Sequence, residues 1–187
     1  MNRILNALGF QAGWWACVAS VRLDRQAEAL VFCGVLVALH LRHCVAPRQE
    51  AKLAALALVI GIAVDSALQY FSVIRFLGLS LGGLSPLWLW MLWVIFAMTI
   101  NSSMGFLQDL SWKVSAAMGL VFGPISYLAG AQLGAAQFDY SASNILTLAA
   151  VWALVLPVLV GAGKKLQSSA AQGTPDAVEI GGLASIE

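Results

Sequence analysis

Residues 51–74, AKLAALALVIGIAVDSALQYFSVI, decide the fold of this chain. The stretch is almost unbroken in its apolar character, and at about 1.5 Å rise per residue a helix of this length crosses a bilayer. It contains one acidic residue, Asp65, and Gln69 follows one helical turn later. An acidic group at that depth is costly unless it faces the interior of a helix bundle and finds a partner. The stretch therefore predicts a transmembrane helix with a buried polar site.

The composition of the whole chain indicates the same environment. Hydrophobic residues make up 60% of the 187 residues and charged residues 10%, whereas about 25% of an ordinary soluble domain is charged. The net charge of +1 argues against a nucleic-acid surface. The 3 cysteines show no CxxC spacing, and we expect them to be buried apolar groups rather than disulfides. These properties predict an integral membrane protein.

Apolar runs follow one another along the chain, separated by short polar or glycine-rich connections. They predict an all-α fold, a polytopic six-helix transmembrane bundle over residues 1–163, with spans at 4–21, 28–45, 51–74, 86–107, 113–135 and 142–161. Segment 164–187 is rich in Ser, Ala and Gly, and we expect a disordered cytoplasmic tail there. Pro124 should kink the fifth helix or free a carbonyl in it. The sequence shows no internal repeat.

Basic residues and tryptophans predict the orientation. Six spans place both termini on one side, and that side carries most of the basic residues: Arg3, Arg42, Arg48, Lys52, Lys113, Lys164 and Lys165. The other side carries Arg22, Arg25 and Arg75. The positive-inside rule then places the N- and C-termini in the cytoplasm. Trp88, Trp90 and Trp112 are expected in the aromatic belts at the two interfaces.

Stacking the helices by their predicted ends sorts the intramembrane polar residues into two layers. The outer layer is the expected ligand-binding site, and it consists of Asp65, Gln69, Tyr127, Gln11, Trp14 and Trp93. The inner polar layer, nearer the cytoplasm, consists of Asn6, His40, Asn101 and Ser102. Because Tyr127 and the two indoles can donate hydrogen bonds to a carboxylate, we expect them to be the partners of Asp65. The alternative is that Asp65 is a protonated acid that only joins helices.

Motifs for catalysis, metals and cofactors are not found. There is no GxSxG, HExxH, P-loop or GxGxxG pattern, so we expect no catalytic residue and no cofactor. His40, His43 and Cys44 share one helical turn, but a metal would need further ligands and no carboxylate is evident at that depth. We therefore expect no metal. Glycines at 9 and 13, 119 and 123, and 130 and 134 would allow close helix packing.

Several of these stretches resemble a known family. They are Asn6-Ala-Leu-Gly-Phe-Gln11, Gly13-Trp-Trp-Ala-Cys-Val18, Asp65-Ser66, Pro86-Leu-Trp-Leu-Trp90, Leu92-Trp93, Phe96-Ala97, Asn101 and Gly123-Pro-Ile-Ser-Tyr-Leu-Ala-Gly130. Together they are similar to the bacterial inner-membrane family catalogued as domain of unknown function 2878. The resemblance implies no assigned activity. Family members are often encoded near fatty-acid-modifying and oxidoreductase genes, which implies a link to membrane-lipid metabolism. Where the family pattern has a histidine, this chain has Ser102.

The leading hypothesis is a membrane protein that binds or transports a lipid or small polar solute near Asp65. It predicts that Asp65, Tyr127 and Asn101 face a shared cavity. The alternative is a non-enzymatic accessory or assembly subunit of a membrane-lipid-modifying system, which packs against a membrane-protein partner. In that case the polar residues would be paired and no cavity would exist. An enzyme ranks last, because it needs one more activated group than the sequence offers.

Overall fold

The computed structural model describes residues 2–172, which form six α-helices. The helices are α1 (Arg3–Leu23), α2 (Gln26–His43), α3 (Pro47–Tyr70), α4 (Leu87–Ile100), α5 (Trp112–Gln132) and α6 (Ala142–Gln172). Two short strands, β1 (Ile74–Phe76) and β2 (Ala136–Phe138), follow α3 and α5, and a 3-10 helix covers Gly105–Asp109. By length and composition, α1, α3, α5 and α6 can cross a membrane. The predicted helical membrane fold is confirmed at this level.

The central element is α4, which packs against α1, α2, α3 and α6. Most of its 14 residues are buried, as expected for a helix that is apolar on every side. The sequence predicted one span over 86–107, but the helix ends at Ile100. There the backbone N–H of Ser103 donates to the Asn6 side chain (3.2 Å) instead of continuing the helical ladder. The fourth apolar run is therefore a short buried helix followed by a 3-10 turn.

Other helix boundaries also differ from the prediction by a few residues; for example, α3 ends at Tyr70 and α5 at Gln132, before the strands. Helix α3 begins at Pro47, four residues before the predicted start, because proline in the first turn loses no hydrogen bond. Helix α6 continues through Lys164 and Lys165, since the following Leu, Gln and Ala residues favour helix. Of the segment predicted to be disordered, residues 164–172 are helical, and residues 173–187 lie outside the described part of the chain. Pro124 lies inside α5 without ending it.

The tryptophans at the predicted interfaces have different surroundings. Trp112 is 68% exposed, as a residue of an aromatic belt should be. Trp88 is only 3% exposed, and its indole Nε1 donates to the carbonyl of Leu77 (2.8 Å). The belt prediction is wrong for Trp88, because the connection before α4 folds back over it and supplies an acceptor for its N–H.

The unit α3–β1–α4 is repeated by α5–β2–α6. Both α3 and α5 are followed by a residue with positive φ, Ser72 (57°) and Gly134 (84°), and then by a three-residue strand. The two strands pair antiparallel, with Arg75 opposite Gln137. Ser72 and Gly134 are 62 positions apart, and so are Arg75 and Gln137. The same spacing separates Asp65 from Tyr127, which are hydrogen-bonded in the site described below. The sequence shows no repeat because most equivalent positions share backbone geometry but not side-chain type.

The helices alternate in direction along the bundle. Side-chain hydrogen bonds bring together the beginnings of α1 and α3 and the ends of α2 and α4. Lys164, in the last part of α6, reaches the same level. We call this the N-terminal end of the bundle, and the opposite end, where β1 pairs with β2, the strand end. Short connections between antiparallel neighbours account for this arrangement.

Candidate functional site

Asp65 is the centre of a buried hydrogen-bonded cluster that joins three helices. Its exposed fraction is 0%. Tyr127 of α5 donates from its hydroxyl to Asp65 Oδ1 (2.5 Å), and Trp93 of α4 donates from Nε1 to Oδ2 (2.7 Å). Each carboxyl oxygen therefore has a donor, and both donors are among those expected from the sequence. The third expected donor, Trp14, instead donates to Ser126 Oγ (3.1 Å).

Two glycines make room for the aromatic part of this cluster. A Cβ at Gly61 of α3 would lie 2.2 Å from the Trp93 ring, and one at Gly123 of α5 would lie 2.2 Å from Trp152. The two indoles stack on each other, with centroids 5.1 Å apart and planes 5° from parallel. These glycines stand one helical turn before the carboxylate and its tyrosine donor, and both pairs are 62 positions apart. The site therefore lies where the two repeated units meet.

A cavity of about 760 Å³ lies beside the cluster, between α1, α4 and α5. It extends along residues 7–18 of α1 and 118–130 of α5, which is about 17 Å at the helical rise. Its wall is mainly apolar, with many aromatic side chains, and Trp93, Tyr127 and Trp152 are part of it. The cavity thus ends against the same side chains that hydrogen-bond to and stack around the buried carboxyl group.

Most of the predicted ligand-binding residues line this cavity, but the carboxylate does not. The lining residues from the predicted set are Gln11, Trp14, Trp93 and Tyr127. Asp65 lies behind its two donors, on the α3 side of the cluster. Gln69 is also on α3, and its Oε1 is buried without a hydrogen-bond partner among the described residues. The expected shared cavity of Asp65, Tyr127 and Asn101 is therefore wrong, because only Tyr127 faces it.

A second polar cluster lies at the N-terminal end, where the sequence placed the inner layer. The Asn6 side chain donates from Nδ2 to the carbonyl of Met98 (3.2 Å) and accepts at Oδ1 from the backbone N–H of Ser103 (3.2 Å). These two backbone groups fix the amide orientation, so Nδ2 also faces His40 Nδ1 (3.4 Å). His40 Nδ1 must then be the acceptor, and the proton on Nε2 points to Glu50 Oε2 (3.3 Å).

The other oxygen of Glu50 is bound from a different direction. Asn101 donates from Nδ2 to Glu50 Oε1 (3.0 Å), and Gln108 donates from Nε2 to Asn101 Oδ1 (2.7 Å). Lys164 Nζ donates to the backbone carbonyl of Gln108 (2.7 Å) and brings α6 to this end. Glu50 is 5% exposed. Glu50 of α3 thus accepts directly from His40 of α2 and from Asn101 at the end of α4, and Asn6 of α1 is linked to it only through His40.

Sequence reasoning missed three members of this cluster. Glu50 was assigned to a loop, although Pro47 as a helix start would have put it in the first turn of α3, where acidic residues are favoured. The expectation that no carboxylate lies near His40 is therefore wrong. Ser103 contacts Asn6 in place of the predicted Ser102, and Gln108 gave no signal. Among the described residues, no three His, Cys, Asp or Glu side chains could hold a metal ion.

These features define a helical membrane protein with an apolar, aromatic cavity beside a buried carboxyl cluster. The family model described as Protein of unknown function (DUF2878) matches residues 3–158, and the chain belongs to this family. No curated protein matches the chain. No solved structure matches it either. The resemblance seen in the sequence is thereby confirmed, and the family description assigns no activity.

Proposed function

We propose that this protein binds a lipid, with the apolar chain of the lipid held in the cavity between α1, α4 and α5. The cavity is the observation that carries the proposal. Its volume of about 760 Å³ falls within the range of about 300–1,000 Å³ found for small-molecule sites. Its length along the helices suits an extended chain, and its apolar, aromatic wall favours such a chain over a small polar solute.

In this proposal Asp65 positions the wall and does not touch the ligand. Its carboxyl group holds the Tyr127 hydroxyl and the Trp93 indole, and both of these side chains line the cavity. Fixing two large aromatic groups by hydrogen bonds keeps the cavity open against collapse of the surrounding helices. Residues locked by such supporting bonds provide a preorganised site.

The orientation that we propose has six crossings of a bacterial inner membrane, with the N-terminal end of the bundle in the cytoplasm. Support comes from the alternating helix directions and from the basic residues, most of which belong to that end. As a 14-residue helix, α4 covers only about 21 Å. Because other helices enclose it, its length does not have to match the hydrocarbon thickness.

Mass spectrometry of molecules that co-purify with the protein tests the proposed function. Ala129 lines the cavity, so Ala129→Phe should fill part of it. Ala117 lies on the same helix but outside the cavity, and Ala117→Phe is the matched control. We expect a lipid species enriched over the bulk membrane in the wild type and in Ala117→Phe, and its loss in a folded Ala129→Phe. Bulk lipid alone in all three proteins would overturn the proposal.

A second candidate is an accessory or assembly subunit of a membrane-lipid-modifying system. The observation that favours it is the internal pairing of the polar residues: both oxygens of Asp65 and of Glu50 are hydrogen-bonded within the chain. Groups paired in this way join helices without any ligand. Cross-linking in intact membranes distinguishes the candidates. A partner captured at fixed stoichiometry by both the wild type and Ala129→Phe would favour the accessory role.

A further inference from the structure

The cavity is exposed between α1 and α5. Its back wall is formed by α4, where Trp88 and Trp93 are each 3% exposed. On this side Trp15 of α1 is 50% exposed, and Phe122 and Ile125 of α5 are 59% and 53% exposed. Phe106 of the 3-10 helix also lines the cavity and is 45% exposed. Both helices are long and apolar enough to cross a membrane. The opening between α1 and α5 therefore lies on the part of the surface that would face lipid.

Little holds α1 and α5 together across this opening. Helix α1 packs against α2 and α4, whereas α5 packs against α6 and β2. Within residues 2–172, the bond from Trp14 Nε1 to Ser126 Oγ (3.1 Å) is the one hydrogen bond that links α1 with α5. A single neutral hydrogen bond between membrane helices is weak. This bond is therefore the polar link that has to break for the two helices to separate locally.

An amide group stands at the edge of the same opening. Gln11 lies one turn before Trp15 on α1, lines the cavity and is exposed. It is about 12 Å from the beginning of the helix, and its side chain makes no hydrogen bond within residues 2–172. In hydrocarbon an amide without a partner is unfavourable. A bound molecule with a hydrogen-bonding group at this depth would satisfy it.

We propose that the ligand enters sideways from the bilayer between α1 and α5, and that breaking the Trp14–Ser126 bond, which spans this opening, widens it for entry. The ligand is a lipid that carries a hydroxyl, carbonyl or carboxyl group, and this group pairs with the Gln11 amide beside the apolar chain. The proposal rests on the proposed function of the cavity as a lipid site. It assigns a route to that site and a chemical class to its occupant.

Cross-linking across the opening tests the route. The native cysteines Cys17, Cys33 and Cys44 are replaced by alanine, and Trp15→Cys with Ile125→Cys is joined by a reducible bifunctional thiol reagent. The protein is then placed in phosphatidylethanolamine–phosphatidylglycerol vesicles that contain a diazirine-bearing fatty acid, and labelling of the cavity peptides is measured. We expect labelling of the open protein, loss of labelling when the pair is joined, and recovery after reduction.

The outcomes of this experiment separate the two proposals. Labelling that persists with the opening joined would overturn the route and leave lipid binding intact. Wild-type protein is labelled in parallel, because Trp15 and Ile125 themselves line the cavity. If the wild-type protein shows no labelling of the cavity peptides, the proposed function itself fails.

The chemical class of the ligand is tested with Gln11→Leu, which keeps the side-chain size and removes its hydrogen-bonding groups. Two photoactivatable probes of equal chain length are compared, a fatty alcohol and an alkane. We expect the variant to lose its preference for the alcohol, while labelling by the alkane is unchanged. Equal preference for the alcohol in the wild type and in Gln11→Leu would overturn the assignment of Gln11.

Discussion

Replacing Gly61 by alanine should destabilise the protein strongly. A Cβ at this position would lie 2.2 Å from ring atoms of Trp93, closer than real Cβ contacts come, so the indole has to move. Overpacking of this kind costs about 1–3 kcal/mol, and loss of the hydrogen bond from Trp93 to Asp65 adds about 0.6–2 kcal/mol. We therefore expect the free energy of unfolding to fall by about 2–5 kcal/mol.

The same reasoning applies to the other repeated unit. A Cβ at Gly123 would lie 2.2 Å from Trp152 Cγ, and Trp152 stacks on Trp93. Gly123→Ala should therefore displace Trp152 from the other side of the stacked rings and lower the free energy of unfolding of the protein by a similar amount. Because both changes act on one pair of rings, the effect of the double variant should be smaller than the sum of the single effects.

Gly34→Ala is the matched control for these variants. This glycine lies inside α2, and no atom lies within 4 Å of the position that its Cβ would take. Alanine should be neutral there or stabilise by up to about 1 kcal/mol through helix propensity. Unfolding in mixed micelles with increasing SDS, followed by tryptophan fluorescence, measures all the variants. If Gly61→Ala were as stable as Gly34→Ala, the packing of Trp93 against α3 would be refuted.

Three further predictions concern the two polar clusters. Tyr127→Phe leaves one oxygen of Asp65 without its donor and should lower the free energy of unfolding by about 1–2 kcal/mol; an unchanged value would show that the bond contributes nothing. In a ¹⁵N NMR spectrum, His40 should carry its proton on Nε2, and the opposite tautomer would contradict the proposed network. Glu50→Gln turns an amide nitrogen towards one of the two donors, and it should lower the free energy of unfolding by about 1–3 kcal/mol. The control Asp109→Asn changes an exposed residue, and its free energy of unfolding should stay within about 0.5 kcal/mol of the wild-type value. Equal effects of these last two changes in the same unfolding assay would argue against a buried acceptor.

The helices and the partners of the buried acid could be predicted from the sequence because the physical constraint is strong. Long apolar runs have few alternatives to membrane helices. An intramembrane carboxyl group needs donors, and Tyr127 and Trp93 were two of the few available at its depth. The prediction could not fix helix rotation, however. It therefore placed Asp65 in the cavity, although the carboxyl group lies behind the aromatic side chains that line it.

Other features had no sequence signal of sufficient length or clarity. Strands β1 and β2 have three residues each, too few for a readable alternation. The repeat places Asp65 opposite Tyr127 and Ser72 opposite Gly134, so most of its members differ in side-chain chemistry, and the matching glycines Gly61 and Gly123 are too few to reveal it. Glu50 looked like part of a charged loop because the start of α3 was placed too late. Small boundary errors thus removed a central residue from the predicted site.

Photoactivatable methionine gives the most direct test of lipid occupancy in the cavity. Met104 lines the cavity, whereas Met98 is 3% exposed and does not line it. Cells are grown with photo-methionine, membranes are irradiated, and lipid adducts are assigned to peptides by mass spectrometry. The account predicts lipid adducts at Met104 and none at Met98. Equal labelling of the two methionines, or no lipid adduct at Met104, would contradict it.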